Sequence, residues 1–182
     1  ERRAANADLA STAAFSLDAA LDPGPITEAK LARLYPYDNT LRAIRISGRQ
    51  LRDYLEFSAR YFRTFAGDTG RTIPLVNERV PGYNYDIVAG ADYVIDVSRP
   101  SGSRVVALSV NGKPVADTDT FTMAINNYRQ SGGGGYAMLR GAPIVYDRQQ
   151  EIRELLVEEV ARRKALTPET YFKRNWSLEP AA

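Results

Sequence analysis

The chain has 182 residues, 44% hydrophobic and 25% charged, enough to bury a core without covalent staples. Its 24 Lys and Arg against 22 Asp and Glu leave a formal net charge of +2; long nucleic acid, which normally calls for a strong basic excess, is a poor partner for it. Cysteine and histidine are both absent, which excludes disulfides, thiolate nucleophiles, a Ser-His-Asp triad and a histidine-based metal centre built from this chain alone.

No apolar run is long enough to cross a bilayer, and Glu1-Arg-Arg-Ala4 shows no signal-peptide pattern. We read the chain as a fragment or processed piece of something larger. In chain order, Ala7 to Phe15 is small and apolar and suits a buried strand or tight loop. Asp22-Pro-Gly-Pro25 is a turn. Thr27 is placed to cap a short helix ending at Leu34, with Glu28 and Arg33 at the ends that a helix dipole favours. Pro36 stops that helix. Leu41 to Ile46 alternates as a strand. Ser47-Gly48 then turns into a second helix, with Leu51, Tyr54, Leu55 and Ser58 inward and Arg49, Arg52, Asp53 and Glu56 on the outer face.

Thr64 to Val80 has no clear period and reads as a surface excursion. Four β segments follow, at Tyr83 to Val88, Tyr93 to Val97, Val105 to Val110 and Phe121 to Asn126, with Asn111-Gly112 as a hairpin turn. Ile144 to Tyr146 is extended, 148–164 reads as an amphipathic helix, and the tail brings Trp176 down onto the body. With neither repeats nor low-complexity linkers, residues 1–182 are expected to form one α+β domain, a mixed sheet with flanking helices.

The most informative stretch is Ala124-Ile-Asn-Asn-Tyr-Arg-Gln-Ser-Gly-Gly-Gly-Gly-Tyr136. A buried strand runs into a glycine loop, Gly132 to Gly135, over which a flat ligand can come close because no side chain stands there. The same run also suits a plain hairpin tip. Tyr128 and Arg129 precede the loop, and Pro36-Tyr-Asp-Asn-Thr40 is the candidate for a facing wall. Tyr37 reads either as a turn aromatic or as a stacking ring, Asn39 as a turn residue or a ligand contact, and Arg129 as a partner of a carboxylate or of substrate. Tyr136 is expected beneath the loop, Tyr83 and Tyr85 in sheet packing, and Arg162-Arg-Lys164 as a solvated helix end.

These residues carry a resemblance. Tyr35-Pro-Tyr-Asp-Asn-Thr40, Ile46-Ser-Gly-Arg-Gln-Leu51, Pro81-Gly-Tyr-Asn-Tyr-Asp86, Val94-Ile-Asp-Val97, Asn111-Gly-Lys-Pro114, Asn126-Asn-Tyr-Arg129 and Gly132 to Gly135 stand in the order seen in the C-terminal domain of the 5'-nucleotidase family. The chain resembles the branch of 2',3'-cyclic-nucleotide 2'-phosphodiesterase/3'-nucleotidases. That resemblance implies a substrate-binding domain whose partner, an N-terminal metallophosphoesterase domain, holds two divalent metal ions and cuts by attack of a metal-activated water. It implies a nucleoside or nucleotide ligand and a periplasmic, secreted or cell-surface location.

Transferred by position, Tyr37 and Tyr128 match the two walls of a base sandwich and Asn39 the contact to the base edge, while Arg129, Gly132, Gly133 and Gly134 fall in the binding loop. No residue of this chain is implied to be catalytic or to hold metal. Gly134 stands where strict 5'-nucleotidases carry Asp. Ser11-Thr-Ala-Ala-Phe15 stands where they carry a phosphate-side Arg segment. Both departures favour the cyclic-phosphodiesterase branch. A stand-alone, non-enzymatic module for nucleotides or single-stranded nucleic acid is the competing class.

Overall fold

Two sheets grip one helix. The computed structural model describes residues 1–16, 18–65, 67 and 74–180. The larger sheet contains β1 (Leu9–Ala13), β2 (Thr40–Ser47), β3 (Asp86–Ala89), β7 (Thr120–Asn126) and β8 (Ile144–Glu151), in the order β3-β1-β7-β2-β8. It is mixed: β1 runs parallel to β7, and the other pairs are antiparallel. The smaller sheet contains β4 (Ala91–Asp96), β5 (Val105–Val110), β6 (Lys113–Pro114) and β9 (Trp176–Glu179), in the order β6-β5-β4-β9.

Alternation along β2 explains the layering. Leu41 and Ala43 point to one face, where they meet Ala124, Tyr35 and Ile152. Ile44 and Ile46 point to the other, where they meet Met123, Ile125 and the helix α2 (Gly48–Ser58). Leu51, Tyr54 and Leu55 of α2 share a cluster with Ile44 and Ile46 of the larger sheet and Tyr93, Ile95, Leu108 and Val110 of the smaller one. On the opposite face of the larger sheet lies the helix α4 (Ile152–Arg163), which brings Ile152, Leu155 and Leu156 to the Leu41–Ala43 side, and α1 (Glu28–Leu34) packs against α4. The fold is thus α+β, with mixed sheets and flanking helices.

Local signals account for most boundaries. Thr27 accepts the amide of Lys30 at 3.3 Å. Ser47 and Gln50 form a reciprocal capping box at the start of α2. Asn111 and Gly112, with φ of 51° and 75°, make the tight turn between β5 and β6. Trp176 lies parallel to the Tyr93 ring at 6.4 Å and meets the Tyr85 edge at 5.8 Å, as expected for a tail that packs down.

Three expectations need correction. Glu56 does not face solvent: it is buried, and its carboxylate accepts the amides of Arg104 at 2.9 Å and Val105 at 2.7 Å. Only the Arg52 and Glu56 part of that face meets the second sheet, at Arg104 and Val105, while Arg49 and Asp53 stay open to solvent. Tyr83 to Tyr85 are not strand; Gly82–Asn84 form a 3-10 turn, closed by Asn84 N–H to Pro81 O, and β3 begins only at Asp86. The last long helix starts at Ile152 rather than 148, because β8 continues to Glu151 beside β2. Part of the excursion expected between Thr64 and Val80 lies outside the described residues.

Glu56 supplies a test of the layered core. Glu56→Ala strands two buried amides and removes the carboxylate next to the buried Arg104 guanidinium, so a loss of about 3 kcal/mol is expected. Urea denaturation reads it directly, and a change below about 1 kcal/mol would show that the two layers do not depend on this residue.

Candidate functional site

Two loops and one turn converge at the end of β7 and the start of β2. Asn126 closes β7 and caps the short helix α3 (Asn127–Gln130), its side-chain oxygen accepting the amide of Arg129 at 2.7 Å. Asn127 takes the amide of Thr40 at 3.2 Å, which ties this cap to the Pro36–Thr40 loop. That loop is held again from α4: Arg153 donates to the Tyr35 carbonyl at 3.1 Å and to Asp38 at 2.7 Å, and Ile152 N–H bonds the Asn39 carbonyl at 3.0 Å.

Between these segments lies a cleft of about 340 Å³, lined by Phe15, Tyr37, Asn39, Tyr83, Asn84, Asn126, Tyr128 and Arg129. Tyr37, Tyr83 and Tyr128 leave 48%, 47% and 55% of their surface open, so all three rings are available to a ligand. Tyr37 leans edge-on against Phe15 at 5.1 Å, and Phe15 in turn meets the Tyr35 edge at 4.9 Å. Tyr128 is anchored at its hydroxyl, which accepts the amide of Gly134 at 3.0 Å. A larger cavity of about 750 Å³, walled by Arg60, Arg63, Arg79 and Arg104, has Phe62 as the one aromatic among its described lining residues. Phe62 is buried, so that cavity offers no ring for stacking.

Arg129 lines the cleft, yet its N–H groups are all engaged inside the protein. Nε and Nη2 reach both oxygens of Asp86 at 2.8 and 2.7 Å; Nη2 also donates to the Tyr83 carbonyl at 2.9 Å; Nη1 donates to the Gly133 carbonyl at 2.9 Å and to Asn84 Oδ1 at 3.2 Å. Both partners of this pair are buried. Tyr54 adds its hydroxyl to Asp86 and shares a hydrogen bond with Ser11 at 2.7 Å.

Burial pushes the Asp86 carboxyl above the ordinary carboxylate range, against the opposing pull of Arg129 and the Tyr54 hydroxyl. Burial works to lower the Arg129 value too, but the charge and hydrogen bonds of Asp86 overcome it and hold the guanidinium charged. Asp86 and Arg129 form an ion pair: three hydrogen bonds converge on the carboxylate, and its protonation would strand a buried cation. Desolvation and the Asp86 charge also drive the Tyr54 phenol well above its usual range.

The glycine run serves the protein's own packing. A Cβ on Gly134 would lie 2.0 Å from Arg129 Nη1 and 2.5 Å from Asn84 Oδ1, and one on Gly133 would lie 2.6 Å from the Tyr128 ring. Gly132, in turn, is backed by Arg140. None of Gly132, Gly133 and Gly134 lines the cleft; they form the shelf on which Tyr128 and Arg129 rest. Tyr136 lies beneath that shelf, fully buried, bonded to Ser58 at 2.7 Å and to the Asn84 carbonyl at 2.9 Å, with the Arg129 guanidinium 4.2 Å above its ring.

The structure therefore brings Tyr37, Asn39, Tyr128 and Arg129 to one cleft and sets the three glycines behind it. Sequence reasoning missed Tyr83 and Asn84 as lining residues because their alternation with Tyr85 imitates a strand; Pro81-Gly82 was the available sign of a turn. Among the described residues no group of three His, Cys, Asp or Glu side chains is placed to hold a metal ion, and no helix is long and apolar enough to cross a membrane.

The chain is similar to known proteins in sequence and in fold. The family described as 5'-nucleotidase, C-terminal domain, matches residues 1–141. Trifunctional nucleotide phosphoesterase protein YfkN of Bacillus subtilis is 32% identical over an alignment of 171 residues that covers 87% of this chain and 12% of that protein. The 2',3'-cyclic-nucleotide 2'-phosphodiesterase/3'-nucleotidase of Salmonella typhimurium is 31% identical over 175 residues, covering 88% of this chain and 27% of that protein. Among solved structures, a Staphylococcus aureus protein assigned as a 5'-nucleotidase superposes with a TM-score of 0.78 at 30% identity, over 97% of this chain and 34% of its own. The chain thus spans a small part of the length of the relatives it matches. By the extent of the matched region and the agreement of fold, it belongs to the 5'-nucleotidase C-terminal domain family.

Proposed function

We propose that this chain is the substrate-binding part of a nucleotide phosphohydrolase and that its cleft clamps the heterocycle of a nucleoside or nucleotide between Tyr37 and Tyr128. The observation that carries this reading is the pair of half-open phenol rings, on separately anchored loops, bordering one cleft of about 340 Å³. Stacking on such rings contributes about 1–3 kcal/mol per base and tolerates any base. Asn39 follows Tyr37 in the same loop and contacts the base edge. The Bacillus and Salmonella relatives, named for nucleotide phosphoester and 2',3'-cyclic-nucleotide cleavage, support a nucleotide as the ligand.

The phosphate is presented to a pair of divalent metal ions on a metallophosphoesterase domain outside this chain. This chain's own donor set, with neither histidine nor cysteine, does not suit such a centre. No step here runs through a metal; this chain binds and orients. Residues 1–182 act as a single binding domain, and an exported location, periplasmic or at the cell surface, goes with that role. Arg129 and the glycine run act as positioning elements: the ion pair with Asp86 fixes α3, and the missing side chains let Tyr128 fold back over the loop.

Calorimetric titration with adenosine tests the clamp. Wild type is expected to bind, Tyr37→Ala and Tyr128→Ala each to lose about tenfold in affinity, and Tyr128→Phe, which keeps the ring, to lose less. Unchanged affinity in the Tyr37→Ala, Tyr128→Ala double variant would falsify the stacking assignment. The shelf is tested by stability. Gly134→Ala combines a left-handed φ of 69° with overlap on Arg129 and should cost about 3 kcal/mol. Gly112→Ala, with φ of 75° and open space around it, should cost only about 1 kcal/mol. Equal losses at the two positions would show that the packing around Gly134 contributes nothing.

A further inference from the structure

Three carboxamides line the cleft, from Asn39, Asn84 and Asn126, and the one at Asn84 has its direction set by a buried cation. Arg129 Nη1 donates to Asn84 Oδ1 at 3.2 Å, and the same guanidinium is locked to Asp86 at 2.7 and 2.8 Å. Turning the amide over would set N–H against N–H and leave a buried donor without an acceptor. The backbone of Asn84 is equally fixed: its N–H bonds the Pro81 carbonyl at 2.8 Å, and its carbonyl accepts the Tyr136 hydroxyl at 2.9 Å. Its two Nδ2 hydrogens have no partner among the described residues, and they belong to a residue that lines the cleft. A cation on the amide oxygen also polarises the group and strengthens those hydrogens as donors. Among the described residues no carboxylate lines the cleft.

We propose that Asn84 is a specificity-determining residue, donating Nδ2 hydrogens to oxygens on the sugar edge of the bound nucleotide. A sugar edge closed as a 2',3'-cyclic phosphate diester has oxygens that accept but no hydrogen to give. A fixed donor matches it, whereas a carboxylate at the same place repels it. A free ribose diol can meet either kind of group, since each hydroxyl both donates and accepts. Asn84 therefore lets this cleft take a sugar edge that only accepts hydrogen bonds. Arg129 acts through it as a positioning residue, and Gly134 leaves the room in which the two side chains meet. The assignment rests on the base clamp described above.

Asn84→Asp is the direct test, because it preserves shape and an acceptor for Arg129 while exchanging the donor pair for a carboxylate. The full 182-residue chain and this variant are titrated calorimetrically with adenosine and with 2',3'-cyclic AMP, and a thermal melt checks that the variant is folded. The expected result is at least a tenfold loss for the cyclic nucleotide with less than a threefold change for adenosine. That loss should persist in about 0.5 M NaCl, where long-range repulsion is screened. Asn84→Ala, which removes the donors without adding charge, should also weaken the cyclic nucleotide. Parallel losses for both ligands in Asn84→Asp, no loss for either, or a loss abolished by salt would overturn the assignment of Asn84 alone. Absence of adenosine binding by wild type would overturn the clamp and Asn84 with it.

Discussion

The ion pair between Arg129 and Asp86 is the constraint on which the cleft depends. A guanidinium taken out of water has to find an acceptor for every N–H, and here those acceptors are drawn from four places: Asp86 on β3, the Tyr83 carbonyl, the Asn84 side chain and the Gly133 carbonyl. Satisfying one buried cation therefore fixes the relative positions of β3, the 3-10 turn before it and the glycine loop. The pair stabilises geometry more than it stabilises the fold, since a buried salt bridge recovers little beyond its own desolvation. What it supplies is a rigid frame behind rings that stand half open.

That frame separates two jobs that a binding site often leaves to the same residues. Tyr37, Tyr83 and Tyr128 present surface to the cleft, while Arg129, Asp86, Tyr54 and Tyr136 are buried behind it. The buried group is polar throughout, linked from Ser11 through Tyr54 and Asp86 to Arg129, with Tyr136 and Ser58 alongside. A network satisfied this fully resists rearrangement, because moving any member leaves another without a partner. The glycines belong to the same logic. Their lack of side chains is used up by Arg129, Asn84 and Tyr128, so the loop is close-packed from within.

Features governed by neighbours in sequence were legible from the chain alone. Thr27 and Ser47 announced the starts of α1 and α2, the alternation of Leu41 to Ile46 announced β2, and Asn111-Gly112 announced a hairpin. Features governed by distant partners were not. Glu56 looked like an outward residue because helical period marks one apolar stripe, whereas α2 has a sheet on each side. Arg129 meets its carboxylate 43 residues away, a pairing that no local spacing reveals. Asn84 was hidden by the Tyr83–Tyr85 alternation, which a 3-10 turn reproduces by chance. The motif order identified the family and the two facing loops; the division of labour between Arg129, Asn84 and the glycines required coordinates.

The grip of Arg153 on the Tyr35 carbonyl and on Asp38 has a consequence for where this module ends. The region that matches the family stops at residue 141, while β8, Ile152 and Arg153, which moor the Tyr37 loop, and β9, which completes the smaller sheet, all come later. The piece of chain that makes the family recognisable is therefore shorter than the piece that holds one wall of the cleft in place, and any boundary drawn by motif alone would leave that wall without its mooring.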